Sequence, residues 1–383
     1  MNNFSNRAGH FVSTTLGYTA FVPSPLPPNP PVQIDEEMQA LLSMADRKLG
    51  RLDGITQILP DPELFVAMYV KKEALLSSQI EGTQASFVDV INIDSPTKEK
   101  QSGIRDVVNY VNALYWGLDE LQRLPLSLRL IRNIHEKLLS GVRGADKKPG
   151  TFRTTQNWIG PQGCTLNTAT FVPPTVSDME QALSDLEMYI YDERPIPALI
   201  KIALIHSQFE TIHPFLDGNG RMGRLLITFW LCQQQILSQP LLYLSYYFKQ
   251  NRGEYYSLLM DVRTKGAYEQ WIKFFLHGVA VVSDEATLTA KNIIQLKEKY
   301  SLELLRHGRN TSNYQKLFDH LFSFPIVTRK GVSDFLSVSN PTAGSILDAF
   351  CEIGILTDMD PEMSRNKNYL FKEYLEILEP GTE

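Results

Sequence analysis

Hydrophobic side chains recur at helical spacing over most of the chain, from Asp35 to about residue 306. One predicted helix has Asp61 as its N-cap and Pro62 as its first helical residue, and Gly82 stops it. Further helices are predicted over residues 103–122, 126–140, 177–192, 197–211, 221–236, 252–263 and 268–306. The pattern therefore indicates that the main body of the protein is all-α.

Residues 150–174 interrupt the helical pattern. Two β-prone runs, at residues 151–160 and 169–174, lie on either side of a turn rich in Pro, Gly and Asn. This arrangement predicts a short, irregular β-hairpin. A lone hairpin on a helical body can serve as a lid or docking edge, or it can be a simple connector.

The two ends of the chain differ from the body. Six prolines fall within residues 23–31, so residues 1–34 are predicted to form a Pro-rich arm of extended polyproline II geometry, without helix. The arm is either a strap packed on the body or a peptide that binds a partner.

Residues 311–383 predict a small α+β domain. Three helices, at residues 313–322, 329–336 and 340–353, precede extended segments at 355–358 and 367–371, which is the order of a winged helix. Residues 310–383 contain six Lys or Arg and eleven Asp or Glu, and the third helix contains no Lys or Arg. Phosphate contacts supply most of the non-specific affinity for DNA. We therefore expect a protein-interaction or dimerisation module; a DNA-binding regulator is the alternative.

Composition excludes several classes of protein. The 383 residues are 43% hydrophobic and 21% charged, with a net charge of −6, which is typical of globular proteins and unfavourable for general binding to nucleic acids or anionic membranes. Three distant cysteines rule out a disulfide scaffold. No segment reaches the roughly 18–20 apolar residues of a membrane span, and residues 1–17 lack a secretory signal, so we expect a cytoplasmic location.

The chemistry is concentrated in the run HPFLDGNGRMGR at residues 213–224. The preceding helix, 198–211, is apolar nearly all round, and residues 225–232 are equally apolar, so both segments are expected to be buried. Polar groups held between two core helices are costly unless they are paired or used. This run is therefore the candidate functional site.

The types of residue in this run suit phosphate chemistry. A Gly-Asn-Gly turn exposes backbone N–H groups at the start of a helix near Arg221, where the helix dipole favours an anion. Arg221 and Arg224 are neighbours on that helix and suit an oligophosphate. Asp217 could hold a divalent metal, and His213 could take a proton from a hydroxyl group. Together these parts indicate nucleotidyl or phosphoryl transfer.

Three other interpretations of the same residues exist. Gly218, Gly220 and Gly223 match a dinucleotide-binding pattern, but no strand is predicted before them and no Asp or Glu lies between residues 224 and 253. His206, Glu210 and His213 have a spacing compatible with a metal site, without a further nearby ligand. A purely structural glycine turn would explain only part of the run.

The run resembles the signature of the Fic family, in which His, Phe, Asp or Glu, and Gly-Asn-Gly-Arg are followed two residues later by Arg. Every specified position matches. Residues 150–156 and 172–174 also resemble the "flap" hairpin of that family. The resemblance implies a helical Fic core with a β-hairpin flap and transfer of AMP from ATP, with Mg²⁺, to a Ser, Thr or Tyr hydroxyl of a protein. Some family members transfer other phosphate-containing groups, and some remove AMP.

The resemblance also implies residue roles. His213 would be the base and Asp217 the magnesium ligand. The anion hole and phosphate clamp would be formed by Gly218, Asn219, Gly220, Arg221 and Arg224. The adenine pocket would include Asn251, Tyr255 and Tyr256. The flap strand that aligns the target would include Ile159 and Gly160.

The sequence Ser77-x-x-x-Glu81-Gly82 resembles the inhibitory motif of the same family. A carboxylate in the last turn of a helix opposes the helix dipole, at a cost of about 0.3–1 kcal/mol if unpaired. The resemblance implies that Glu81 pairs with Arg224 and competes there with the γ-phosphate of ATP. Alternatively, Glu81 is solvated or paired with a local Lys.

These patterns predict an arm at 1–34, an N-terminal helical region at 35–122 that carries the inhibitory motif, a catalytic core at 123–306 and a winged-helix-like domain at 311–383. The expected partner is a protein with an exposed hydroxyl residue. Neither a membrane nor DNA is expected as a partner. A homodimer is left open.

Overall fold

The computed structural model describes residues 6–56, 62–91, 101–142, 144–161, 163–307, 312–363 and 367–382. Asp61, the predicted N-cap, lies outside these residues. The helices are α1 (Glu36–Thr56), α2 (Pro62–Ile80), α3 (Phe87–Ile91), α4 (Gln101–Glu120), α5 (Leu128–Leu138), α6 (Val176–Ile190), α7 (Ala198–Ile212), α8 (Asn219–Gln233), α9 (Leu244–Gln250), α10 (Arg252–Lys265), α11 (Tyr268–Arg306), α12 (Ser312–Leu321), α13 (Arg329–Leu336), α14 (Asn340–Ile353) and α15 (Lys372–Leu378). The strands are β1 (Gly9–Ser13), β2 (Thr19–Pro23), β3 (Ile326–Thr328), β4 (Thr357–Asp358) and β5 (Asn368–Leu370). The predicted all-α body is confirmed.

Helices α7 and α8 form the centre of the core. Every residue from Leu199 to Ile212 is buried, as expected for a helix that is apolar on all sides. Helix α7 packs against α6, α8, α10 and α11, and α8 packs against α2, α4 and α5. The connection between α7 and α8 is therefore enclosed by helices from several parts of the chain.

Helix α2 brings the predicted inhibitory motif to the start of α8. It packs against α4, α8 and α9. Gly82, with φ of 91°, adopts the left-handed conformation that ends helices, and its N–H donates to the carbonyl of Gln79 at 3.0 Å. The prediction that Gly82 stops this helix is confirmed.

The N-terminal arm contains a β-hairpin, contrary to the expectation of an extended polyproline II segment. Strands β1 and β2 are antiparallel, with Gly9 opposite Pro23. The hairpin packs on the body, because Phe21 is fully buried and its N–H donates to the carbonyl of Val172 at 3.0 Å. Residues 9–23 precede most of the prolines, so backbone N–H groups were available for strand pairing. Of the two alternatives, the packed strap describes this hairpin.

The predicted flap pairs at one point. Ile159 and Phe171 exchange two backbone hydrogen bonds, of 2.8 and 3.0 Å, and the described part of residues 150–174 contains no longer strand. Pro161, Pro173 and Pro174 have no N–H to extend the ladder, which accounts for its shortness.

The C-terminal region follows the predicted order of three helices and a ribbon. Its sheet has the antiparallel order β3-β5-β4, with β3 between α12 and α13. The sequence analysis did not predict β3 or α15. In the described part of the chain, no helix combines the length and apolar character of a transmembrane span.

Candidate active site

His213 is the C-cap of α7 and adopts a left-handed conformation, with φ of 49° and ψ of 61°. Its N–H donates to the carbonyl of Phe209 at 3.0 Å. Residues 214–218 then turn the chain into α8, and Gly218, with φ of 77°, supplies the second left-handed position. The loop therefore begins and ends at sharp backbone turns, with the imidazole at its entrance.

Asn219 braces this loop from within. Its Oδ1 accepts from the N–H of Phe215 and its Nδ2 donates to the carbonyl of Phe215, both at 2.8 Å. The side chain of Asn219 thus closes the loop, while its predicted part in the anion hole concerns the backbone. The backbone N–H groups of the first turn of α8 have no acceptor within their own helix, so they remain suited to binding an anion.

His135 supports the loop from α5, and the sequence analysis did not identify it. Its Nδ1 accepts from the N–H of Gly150 at 2.9 Å, so Nε2 carries the proton and donates to the carbonyl of Asp217 at 2.9 Å. The ring stacks on Phe215 with 3.6 Å between centroids. Burial lowers the pKa of His135 to about 4, which keeps the ring neutral. A histidine on the apolar face of a helix gives no sequence signal that separates this role from simple packing.

The flap is joined to the same loop. Arg153 is almost fully buried; its Nε donates to the carbonyl of His213 at 3.1 Å and its N–H donates to that of Pro214 at 2.9 Å. The Nδ2 of Asn157 donates to the carbonyls of His213 and Phe215, at 3.1 and 2.8 Å. Two flap side chains therefore fix the position of the loop that carries His213.

Glu81 and Arg224 form an ion pair at the start of α8. Arg224 is buried, and its Nη2 lies 2.7 Å from Oε1 of Glu81, whose side chain is 29% exposed. Ser77 completes the contact, since its hydroxyl accepts from Nε of Arg224 at 2.8 Å and its carbonyl accepts from Nη2 at 2.9 Å. The predicted inhibitory residues and the predicted phosphate ligand therefore meet.

Charge keeps both partners ionised. Burial would raise the pKa of Glu81, but the charge and hydrogen bond of Arg224 outweigh it, so the pKa lies below its ordinary value. Burial would lower the pKa of Arg224, but the carboxylate of Glu81 outweighs burial, so the pKa of Arg224 lies above its ordinary value. The pair is a carboxylate and a guanidinium at neutral pH.

Gly220 shows where the Glu81 carboxylate lies. A Cβ at this position would be 2.2 Å from Oε1 of Glu81 and 3.1 Å from Nη1 of Arg224. The carboxylate therefore rests on the bare Cα of a residue in the first turn of α8. That is where the sequence analysis placed the anion.

Arg221 is buried beside two carboxylates at long range. Its Nη1 is 3.8 Å from Oδ1 of Asp106, and its Nη2 is 3.6 Å from Oδ1 of Asp217. Its Nε and Nη2 have no hydrogen-bond partner among the described residues. A buried guanidinium with unused donors can bind a phosphate. Asp106, on α4, was not identified from the sequence.

Asp217 fits a metal that also binds phosphate. Its Oδ1 accepts from the N–H of Gly218 at 2.6 Å, and its side chain is partly exposed at the loop. Among the described residues, no group of three His, Cys, Asp or Glu is arranged to hold a metal ion. Mg²⁺ in nucleotide enzymes is commonly held by one or two carboxylates together with substrate phosphates, so a single Asp is compatible with it.

The three predicted adenine-pocket residues differ in exposure. Tyr255 is fully buried and its hydroxyl lies 2.9 Å from Nε2 of His206, whereas Tyr256 is 40% exposed. Asn251 is partly buried and its Nδ2 donates to the carbonyl of Tyr247 at 3.0 Å. Tyr255 is therefore too buried to contact a ligand directly and can only support the residues that line a pocket. Tyr256 is accessible to a ligand.

Two of the alternative interpretations are wrong. The second ring nitrogen of His206, Nδ1, lies 3.0 Å from the carbonyl of Gly223, so both nitrogens serve the core and the metal site with Glu210 and His213 does not form. The element before the glycine pattern is α7, not a strand, which excludes the dinucleotide fold.

The imidazole of His213 is neutral at physiological pH. Burial and the nearby charges of Arg263 and Arg153 lower its pKa to about 3. Its Nδ1 has no hydrogen-bond partner among the described residues. A neutral imidazole with an open lone pair can accept a proton at physiological pH.

The flap residues lie where the two runs meet. Ile159 pairs with Phe171, and a Cβ on Gly160 would be 3.2 Å from the N of Thr170 and 2.7 Å from Sγ of Cys164. The two runs therefore leave little room for a side chain at this position.

Comparison with known proteins supports the interpretation of this loop. The model of the Fic/DOC family N-terminal region matches residues 39–119, and that of the Fic/DOC family matches residues 125–231. "Protein adenylyltransferase Fic" of Drosophila grimshawi is 28% identical over 174 residues, 45% of this chain and 31% of that protein. A probable protein adenylyltransferase of Aquifex aeolicus is 25% identical over 205 residues, 52% of this chain and 57% of that protein. The chain spans less than two thirds of either relative.

Solved structures share the fold. A Fic family protein from Desulfovibrio desulfuricans has a TM-score of 0.57 at 19% identity, covering 89% of this chain and 97% of that chain. A Fic domain containing signaling protein from Bacteroides thetaiotaomicron has a TM-score of 0.51 at 18% identity, covering 64% of this chain and 97% of that chain. The likeness confirms the predicted mostly helical fold class.

Proposed function

Since the chain belongs to the Fic family, we propose that it transfers AMP from ATP to a hydroxyl group of a protein and that Glu81 restrains this transfer. The observation that carries the proposal is the ion pair between Glu81 and Arg224 against the bare Cα of Gly220. A carboxylate at the start of α8 supports the proposal that an anion binds there. A phosphate that used the same guanidinium would have to displace it.

The loop residues have separate tasks in this reaction. His213 takes the proton of the target hydroxyl as its oxygen attacks the α-phosphorus. The bond from that phosphorus to the bridging oxygen breaks, and pyrophosphate leaves. The backbone N–H groups of the first turn of α8, with Arg221 and Arg224, stabilise the phosphate charge. Asp217 would hold Mg²⁺, which would neutralise part of that charge when bound.

Glu81 acts by competition in this proposal. While Arg224 is engaged by Glu81 and Ser77, it is not available to a terminal phosphate, and ATP would bind without the alignment that transfer needs. Charge-assisted hydrogen bonds contribute about 1.5–3 kcal/mol. Releasing Arg224 should therefore raise the rate roughly tenfold to a hundredfold.

The target of transfer is a protein, and the modified residue is Ser, Thr or Tyr. Ile159 and Gly160 would align the target backbone by β-augmentation, which depends little on target side chains. Roles for Asn251, Tyr255 and Tyr256 at adenine, the domain boundaries given above, a cytoplasmic location and a homodimer all stay predictions.

Removal of AMP by the same site is a second candidate. Glu81 lies close enough to His213 for its charge to raise the pKa of that imidazole, so a water molecule between them could be activated. The two candidates respond oppositely to loss of Glu81, because the carboxylate would hinder transfer and assist removal.

The test compares the parent with Glu81→Gly in labelled ATP, scored by self-labelling and by mass spectrometry of the modified hydroxyl. We expect Glu81→Gly to label roughly tenfold to a hundredfold more strongly. The matched control is Glu298→Gln, an exposed Glu on α11, which should label like the parent. Equal labelling by Glu81→Gly and the parent would refute the restraint. A panel of other nucleotides would identify the group that is moved.

A further inference from the structure

The C-terminal end of α7 is capped by two buried arginines that come from other elements. Arg263, in the last turn of α10, donates from Nη2 to the carbonyl of Glu210 at 2.9 Å and from Nε to the hydroxyl of Thr211 at 3.2 Å. Arg153, from the flap, donates to the carbonyl of His213 at 3.1 Å. The last carbonyls of a helix lack partners within it and carry partial negative charge. Each arginine supplies both a hydrogen bond and a compensating charge.

We propose that Arg153 and Arg263 are positioning residues that hold His213 in its left-handed conformation and so fix the direction of its imidazole. A side chain other than Gly in this conformation costs about 1–2 kcal/mol, and such a residue persists only where its surroundings hold it. The bonds to Glu210, Thr211 and His213 are the surroundings that do so. The catalytic importance of these contacts rests on the proposed function, whereas the contacts themselves do not.

The charges around the ring agree with this arrangement. Among the described residues, the charged groups that face His213 are Arg263 from α10, Arg153 from the flap and Glu81 after α2, and α7 contributes the carbonyl of Glu210. Burial lowers the pKa most, both arginines lower it further, and Glu81 raises it. The two arginines therefore lower the pKa of the ring in the same direction as its burial does.

The same cation touches the flap. The guanidinium of Arg263 lies 4.2 Å from the centroid of the Phe171 ring, and the backbone of Phe171 pairs with Ile159. Arg263 therefore contacts both the end of α7, which carries His213, and the run that pairs with Ile159.

The test measures the His213 ring directly. In Arg263→Met, NMR of labelled histidine is expected to show the pKa of His213 rising by about one unit, since a buried cation that lowers this pKa is lost. His213→Asn assigns the resonance. In the Glu81→Gly background, the acid limb of the rate profile should move to higher pH in parallel.

Two further variants separate positioning from charge. Arg263→Lys keeps the cation but not the forked geometry, so we expect a lower kcat with the ring pKa nearly unchanged. Thr211→Val removes the hydroxyl that accepts from Nε of Arg263. This variant should lower kcat without changing the pKa of the His213 ring, and it replaces Arg263→Met if that variant does not fold. If the ring pKa is the same in Arg263→Met and the parent, or if neither Arg263→Lys nor Thr211→Val lowers kcat, the inference is wrong. The NMR result does not depend on AMP transfer, so it fails separately from the proposed function.

A second inference comes from an independent contact between the C-terminal region and α2. The Nζ of Lys72 donates to the carbonyl of Pro380 at 2.7 Å, and the Nε2 of Gln79 donates to that of Thr382 at 3.3 Å. Gly381, with φ of 83°, lies so close to the ring of Tyr246 that a Cβ would be 1.8 Å from it. The segment 380–382 thus contacts α2 at Lys72 and Gln79. Gln79 is two residues from both Ser77 and Glu81 in the sequence.

We infer that this segment stabilises the inhibitory end of α2, so that a partner that moves the C-terminal region would release Glu81. The inference deepens the proposed restraint and rests on it. Gly381→Ala is the test, because the methyl group would force the Tyr246 ring or the segment to move and alanine is strained at a positive φ. Gly354→Ala is the matched control: it has φ of 82° in the same region, but a Cβ there meets nothing within 4 Å.

Hydrogen exchange of the α2 amides is the first measurement and needs no activity. We expect Gly381→Ala to speed exchange at residues 77–81 by tenfold or more, and Gly354→Ala to leave it unchanged. Self-labelling should then rise in Gly381→Ala but not when Glu81→Gly is already present. Equal exchange in both variants would overturn the inference, whereas faster exchange without a change in labelling would instead point to a failure of the proposed restraint.

Discussion

Helices α7 and α2 both end at the candidate site, but different bonds hold the two ends. The end of α7 is fixed at several carbonyls by the buried Arg263 of α10 and by two flap side chains, the buried Arg153 and the partly buried Asn157. At the end of α2, Ser77 and Glu81 both contact one side chain of α8, Arg224. The end of α7 is thus held by three side chains from two elements, whereas Ser77 and Glu81 share one guanidinium. Under the proposed function this difference is useful, because a phosphate can displace a contact made through one guanidinium, whereas the proposed base must keep its position.

The largest effect should come from the end of α7. His213→Ala, made in the Glu81→Gly background, should lower AMP transfer by roughly 10²–10⁴-fold, the usual contribution of a general base. Initial rates with labelled ATP measure it. The exposed His10→Ala is the control and should keep the full rate. Undiminished labelling by His213→Ala would mean that another group takes the proton.

The next effect tests whether Glu81, at the end of α2, contacts Gly220 at the start of α8. Gly220→Ala places a methyl group 2.2 Å from the carboxylate oxygen of Glu81, so the parent should lose about 1–3 kcal/mol of unfolding free energy. With Glu81→Gly the clash is absent and the loss should be much smaller. Urea unfolding of the two single variants and the double variant gives the coupling. Additive losses would show that the carboxylate lies elsewhere in solution.

A smaller effect separates two adjacent serines on α2. The hydroxyl of Ser77 accepts from Arg224, whereas the buried hydroxyl of Ser78 has no hydrogen-bond partner among the described residues. Ser77→Ala should weaken the brake by about 0.5–1.5 kcal/mol and raise self-labelling by up to roughly tenfold. Ser78→Ala, the matched control, should leave labelling near the parent level. If the two variants behave alike, the hydroxyl of Ser77 contributes nothing specific.

The smallest effect is a pH dependence of the brake. The pKa of Glu81 in the folded protein lies below its ordinary value of 4.5, so its stabilising pairing is complete above that value and is lost only as the pH falls through the folded pKa. The difference in unfolding free energy between the parent and Glu81→Gln should therefore be constant from about pH 6 to 8 and shrink in more acidic buffer. Thermal unfolding across this range measures it; a difference that shrinks near neutral pH would contradict the lowered pKa.

The sequence by itself determined the helical body, the loop and the residue types of the site. Because apolar runs lie on both sides of residues 213–224, the polar groups of this run were predicted to lie between two buried helices. The Gly-Asn-Gly turn predicted a helix start that favours anions. The stop of α2 at Gly82 also followed from local backbone preference. Such features depend on neighbours along the chain, so a single sequence reports them.

Only the tertiary structure decided which distant side chains complete the site. Asp106, His135, Arg153 and Arg263 come from four separate segments, and each looks in sequence like an ordinary polar residue in a helix or loop. The hairpin in the arm and the contact of residues 380–382 with α2 likewise arise from packing between segments far apart in the chain. Periodicity and local propensity carry no information about such pairings, because the free energy that selects them comes from burial and hydrogen bonds formed only in the folded protein.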